Sequence, residues 1–194
     1  CLIDREPRDF DEDDVALLRD LARMAEQELA AVQLATMDEL TMISNRRGFE
    51  TLSQHALGLC KRLEKPASML FFDLNLFKQI NDQFGHAEGD RALTRFAEIL
   101  QETFRESDVL GRLGGDEFAV LLTNATAETS AEILDRFRVH VARYNQVSQR
   151  GYDILFSVGV VQYDPARHED VSGLMAAADT LMYEQKRDSR SRSA

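Results

Sequence analysis

The sequence predicts an α+β fold, a mixed and largely antiparallel sheet covered by helices and preceded by one long N-terminal helix. Three observations carry this. Short apolar runs at 67–73, 108–122 and 152–162 alternate with longer segments whose apolar residues recur every three or four positions, the spacings of strands and amphipathic helices. The run at 108–122 is broken by Gly114-Gly115, which reads as a hairpin tip between two antiparallel strands. Residues 14–37 contain neither Gly nor Pro, so nothing interrupts a helix there. A hairpin inside a chain of alternating strands and helices implies a sheet layered with helices.

Residues 1–13, from Cys1-Leu2-Ile3 to Asp11-Glu12-Asp13, are too short to fold alone. They resemble the last strand and loop of a GAF sensory domain, or form a plain leader. Over 14–37, Leu18, Ala22, Ala25, Leu29, Val32 and Thr36 recur at alternating spacings of four and three, a heptad seam. This segment is read as a linker helix, either a parallel dimer stalk or an amphipathic helix packed on its own domain. The main folded domain is expected over 38–194. A helix at 47–63 carries the stripe Phe49, Leu52, Ala56, Leu59, Cys60, Leu63. The strand at 67–73 leads into a short helix at 76–83 and a longer one at 88–104. After the hairpin, a helix at 127–145 is striped by Leu134, Phe137, Val141 and Tyr144, a strand spans 152–162, and a helix at 172–187 carries Leu174, Ala177, Ala178 and Leu181. Such stripes are core.

Composition narrows the function. With 194 residues, 44% of them hydrophobic, and a formal charge of −11, the chain suits one globular domain with an appendage. Its acidity argues against binding a nucleic acid polymer, which needs clustered Lys and Arg; the late run Lys186-Arg187-Asp188-Ser189-Arg190 is too short. Cys1 and Cys60 are too few for a disulfide framework, and Cys60 reads as a buried thiol. No apolar run approaches the roughly 20 residues of a membrane helix. The expectation is a soluble cytoplasmic piece of a longer protein.

Two acidic sites carry the chemistry. Gly111-Arg112-Leu113-Gly114-Gly115-Asp116-Glu117-Phe118 puts adjacent carboxylates at a glycine turn, where positive φ lets backbone approach a ligand and the two acids point different ways. One could hold a cation and the other a substrate proton, although Gly-Gly before acids is also an ordinary solvated hairpin. In the second, an apolar strand runs to Asp73 and turns into Leu74-Asn75-Leu76-Phe77-Lys78. A carboxylate at a strand end, followed by free backbone N–H groups and a lysine, suits Mg²⁺ and phosphates together. Gly85-His86-Ala87-Glu88-Gly89-Asp90 reads as a turn opening the next helix, with His86 given no chemistry.

These blocks resemble the GGDEF family of diguanylate cyclases. The resemblance covers about 38–190. It runs through Asp38-Glu39-Leu40-Thr41-Met42-Ile43-Ser44-Asn45-Arg46-Arg47, the Phe77-Lys78-x-Ile80-Asn81-Asp82 and Gly85-His86-x-x-Gly89-Asp90 motifs, the hairpin itself, and Ala178-Asp179-x-x-x-Tyr183-x-x-Lys186. The chain departs from the family at Met42-Ile43, at Leu181-Met182, and at Ser189 and Ser191 flanking Arg190.

The resemblance implies the palm-like fold of class III nucleotide cyclases and the condensation of two GTP into cyclic di-GMP with two Mg²⁺, or Mn²⁺ in its place, per site. It assigns Asp73, Asp116 and the carbonyl of Leu74 to the metals, and Glu117 either to the metals or to the attacking hydroxyl's proton. Lys78 and Lys186 would neutralise phosphates that the backbone of Leu76 and Phe77 cradles, with Gly114, Gly115 and Arg190 as further substrate contacts. Asn81 and Asp90 would read guanine, whose N1–H and N2–H₂ edge donates to a carboxylate. Because one domain holds one GTP, a homodimer is implied. Arg105-Glu106-Ser107-Asp108 resembles the family's inhibitory site for the product, which Arg136 would complete in an adjoining domain; by itself Arg-x-x-Asp is also an ordinary surface ion pair. The alternative is a catalytically silent module that binds GTP or cyclic di-GMP.

Overall fold

The computed structural model describes residues 11–192, and the side chains of all of these except 30 and 188–192. The leader expected at 1–13 therefore lies, up to residue 10, outside the described residues. The chain divides into two units, the second beginning at Thr36. The first, which ends at Ala35, holds all but the last residue of α1 (Glu12–Thr36), an unbroken helix. Its Leu17, Leu21, Met24, Leu29 and Leu34 are exposed.

The second unit is a five-stranded sheet clad in helices. Its elements run β1 (Ser44–Asn45), α2 (Arg46–Arg62), β2 (Ala67–Asn75), α3 (Phe77–Phe84), α4 (His86–Thr103), β3 (Val109–Gly114), β4 (Glu117–Thr123), α5 (Ala127–Ser148), β5 (Leu155–Gln162) and α6 (Val171–Arg192). The strand order is β1-β3-β4-β2-β5. Only the short β1–β3 pair is parallel; the others are antiparallel. β2 is therefore interior, which is why its sequence is apolar on both faces.

Alternation along β2 and β4 supplies two cores. Leu70, Phe72, Leu74, Phe118, Val120 and Leu122 face α4 and α5. There Phe72, Phe96, Phe137 and Phe156 pack at centroid distances of 5.2–5.9 Å, edge to face in every pair but the tilted Phe137–Phe156, a geometry that suits the ring quadrupoles. Ala67, Met69, Phe71, Ala119 and Leu121 face α2 and α6, with Cys60 buried among them. Gly159 is why α6 can sit directly on β5: a Cβ there would lie 1.9 Å from the Ala178 carbonyl oxygen.

The structure corrects several boundaries. The strand expected to end at Asp73 continues to Asn75, because Leu74 N–H finds the Asp116 carbonyl and Asn75 pairs with Leu155. The strand expected from 152 begins only at Leu155. Asn145 bonds both N–H and C=O of Ile154 through its side chain, so that backbone is satisfied outside the sheet. The hairpin tip is Gly115-Asp116 rather than Gly114-Gly115, since a register shift between Arg112 and Gly114 carries β3 one residue further. α4 begins at His86, just after Gly85, whose φ of 87° ends α3. Two-residue β1 was not expected at all.

Candidate active site

Pairing of β2 with β4 sets Asp73 opposite Glu117, and pairing with β5 sets Ser157 opposite Asp73. By strand alternation all three point to the α2/α6 side. Asp116 occupies the turn just before Glu117, and its carbonyl accepts the Leu74 N–H at 3.1 Å. Gly114 (φ 144°) and Gly115 (φ 51°) take left-handed backbone that a side chain would strain, in otherwise open space. Two arginines hold this turn. Arg112 donates from Nε and Nη2 to the Gly115 carbonyl at 3.0 and 2.9 Å, and from Nη1 to both Asp38 oxygens at 3.0 and 3.2 Å. Arg46, at the start of α2, donates to the Leu113 carbonyl at 3.1 Å and pairs with Glu117 at 3.5 Å. From α6, Lys186 forms an ion pair with Asp73.

The acids repel one another at close quarters. Burial pushes the Asp116 carboxyl up, and the charge of Asp73 adds to this while Lys186 and Arg112 oppose it. Burial also raises Glu117; Arg46 pulls the other way, and Asp179, Asp116 and Asp73 push further up. Asp38 goes down: burial disfavours its charge, but hydrogen bonds from Thr41 and the Arg112 guanidinium outweigh that.

The donor set is all oxygen, which suits a hard divalent cation. Among the described residues no three His, Cys, Asp or Glu side chains are grouped as a ready metal cage. Mg²⁺ typically takes one or two carboxylates and completes its shell with water and phosphate, so a pair such as Asp73 and Asp116 could be a sufficient protein share. Mutual repulsion among Asp73, Asp116 and Glu117 is the charge deficit that such a cation would relieve.

Other expected substrate residues fall on α3 and α4. Leu76 turns the backbone at φ 60° into α3 without a side-chain cap, leaving first-turn N–H groups at Phe77 and Lys78 directed outward. Lys78 makes no ion pair among the described residues. Asn81 lies against Gly89: a Cβ there would sit 2.0 Å from Asn81 Oδ1. That contact brings Asn81 and Asp90 to one α3–α4 junction. Asp90 also lines a recess with Leu40 and Thr94. The side chain of Arg190 lies outside the described residues.

Arg105 and Asp108 are elsewhere. They precede β3, roughly 20 Å of strand from the hairpin turn by strand rise. The Asp108 carboxylate is nearly buried and taken up by backbone, accepting from Arg105 N–H at 3.0 Å and Thr123 N–H at 3.0 Å. The exposed Arg105 side chain edges a cavity of about 620 Å³ that Phe104, Leu110 and Leu52 also line. Arg136 donates to the Thr103 carbonyl at 2.7 Å, at the nearby end of α4.

Sequence reasoning missed the roles of Arg46, Arg112, Asp38 and Asp179. All four stood inside quoted motifs, but nothing in a motif says that Arg46 reaches Glu117 or that Arg112 reaches Asp38.

This architecture is that of solved GGDEF domains. The coiled coil and GGDEF domain of DgcB from Caulobacter crescentus superposes with a TM-score of 0.81 over 90% of this chain and 92% of that one, at 24% identity, a likeness of fold. Residues 35–192 match the family of the diguanylate cyclase GGDEF domain, and the chain belongs to that family. It is 32% identical to the probable diguanylate cyclase DgcC of Escherichia coli K12 over 88% of this chain and 46% of that protein. It is 33% identical to a diguanylate cyclase of Vibrio cholerae O395 over 90% of this chain and 53% of that protein. The chain thus spans about half the length of these curated relatives. No described helix is long and apolar enough to cross a membrane.

Proposed function

We propose that the chain is a diguanylate cyclase that condenses two GTP into cyclic di-GMP and two pyrophosphate. The observation that carries this is the convergence of Asp73, Asp116 and Glu117 from two paired strands at one sheet end, beside Lys186 and the uncapped first turn of α3. The named relatives are cyclases or probable cyclases.

In each half-reaction the 3′-hydroxyl oxygen of one GTP bonds to the α-phosphorus of the other, the bond to the bridging oxygen breaks, and pyrophosphate leaves. Asp73, Asp116 and the Leu74 carbonyl would hold Mg²⁺, or Mn²⁺, two per site, and the metal would supply charge neutralisation and acidify the hydroxyl. Glu117 acts as a further ligand or receives the hydroxyl proton; its raised carboxyl brings it closer to the working pH of a general base. First-turn N–H groups at Phe77 and Lys78, with Lys78 and Lys186, bind the phosphates. Gly114 and Gly115 let the backbone approach the phosphates. Asn81 and Asp90 read guanine.

Two such domains face one another in a homodimer, which the seam of α1 favours by raising the local concentration of the second site. Product binds Arg105 and Asp108, with Arg136 contributing, and restrains the enzyme. The setting is cytoplasmic, where GTP is. The deciding experiment incubates the purified chain with GTP and Mg²⁺ and separates the nucleotides chromatographically. Cyclic di-GMP is the expected product; unconsumed GTP with intact binding supports a silent receptor instead.

A further inference from the structure

We propose that Lys186 competes with the divalent cation for Asp73 and is handed over to the triphosphate when nucleotide arrives, so that this side chain sets how strongly metal and nucleotide bind together. The inference rests on the metal and GTP reading above.

Asp73 and Lys186 form an ion pair whose side chains are 14% and 21% exposed. The pair does not come from a loose tail. Lys186 lies one turn beyond Met182, which is 4% exposed in the α2/α6 core, and α6 is seated on β5 at Gly159. The helix is therefore fixed, and the four-carbon stem is the part free to swing. The other cations of the cluster are differently built. Arg112 and Arg46 are tied to the Gly115 and Leu113 carbonyls and to Asp38 and Glu117, so they brace the turn and are poorly placed to leave it.

A dication at about 2 Å from either Asp73 oxygen would lie within about 5 Å of an ammonium held on that carboxylate. Like charges at that range, at a site sheltered from water, repel strongly. Metal entry therefore requires the ammonium to leave, and the metal's affinity is lowered by the strength of the pair. Triphosphate offers the displaced ammonium new oxygens, restoring what metal entry removed. Linkage makes the effect reciprocal: nucleotide tightens metal by the factor by which metal tightens nucleotide.

The test uses Mn²⁺, counted by electron paramagnetic resonance, with and without a GTP analogue carrying a methylene bridge between the α and β phosphates. In K186M, nucleotide-free Mn²⁺ binding should tighten about tenfold, the scale of one charge-assisted hydrogen bond, and the tightening produced by the analogue should shrink by a like factor. K186Q should behave as K186M, and K186R, which keeps the charge, should stay near the parent; far-UV circular dichroism and thermal melts show that each variant is folded. Unchanged or weaker Mn²⁺ affinity in both K186M and K186Q, or tighter binding with the analogue's effect undiminished, overturns the proposal. Failure of the cyclase reading shows separately, as absence of cyclic product from the parent chain with GTP and Mg²⁺.

Discussion

Replacing Arg112 by Met should both destabilise the domain and slow the reaction, because one side chain ties the acid-bearing turn to the start of the domain. The guanidinium makes two bonds to Asp38 and two to the Gly115 carbonyl, in a pair only 14% and 23% exposed. The charged contact of Nη1 with both Asp38 oxygens contributes about 2 kcal/mol after allowance for its residual exposure, and the carbonyl contact about 1 kcal/mol. Their loss, about 3 kcal/mol, should lower Tm by about 6–12 °C for a domain of this size. Turnover should fall roughly tenfold or more, since Asp116 loses its fixed position.

The deficit should depend on pH in a definite sense. Asp38 is held below its ordinary carboxylate range, so its contribution is present above the unfolded pKa and is lost as pH falls through the folded one. The gap in Tm between parent and variant should be full at neutral pH and narrow in acid. Thermal melts followed by circular dichroism from neutral pH to about pH 3.5 measure this. The double variant with Asp38→Asn should cost less than the sum of the two singles. A shift under about 2 °C at neutral pH, or a gap that does not narrow in acid, would refute the clamp.

Asp116→Ala or Glu117→Ala should abolish cyclic di-GMP synthesis with the fold retained, since neither removes core volume; more than about a tenth of parental turnover in either would remove that residue from the chemistry. Asp90→Ala should weaken GTP far more than ATP in competition binding, by about 1–3 kcal/mol for the unpaired guanine donors, and equal losses would place Asp90 outside the base pocket. Arg105→Ala should keep the initial rate but let product accumulate past the level at which the parent stalls. Arg105 is the informative choice, because Asp108 bonds the backbone at Thr123 and its loss would disturb the fold; identical plateaus would return Arg105 to the role of a surface cation. Removing residues 1–36 should lower specific activity most at low protein concentration, whereas dilution curves that match the parent's would exclude a tethering role for α1.

Helix and strand identities were legible because they are local. Spacings near 3.6 marked the helices and continuous apolar runs marked the longer strands of the described residues, and the acids at 73, 116 and 117 announced themselves by their neighbours. β1 was invisible because two residues carry no period; Ser44–Asn45 is a strand only because β3 lies beside it. The hairpin tip was off by one residue because a register shift is decided by the partner strand.

The sequence by itself determined which residues could do this chemistry; the tertiary structure decided which of them meet. Asp73 faces Glu117 through a register set by the apolar alternation of whole strands. Lys186 reaches Asp73 across 113 positions, Arg112 reaches Asp38 across 74, and Arg46 reaches Glu117 across 71. Such pairings have no sequence period: those of Lys186 and Arg46 follow from the packing of α6 and α2 on one face of the sheet, that of Arg112 from the way the segment before β1 lies against β3, and both are properties of the whole fold.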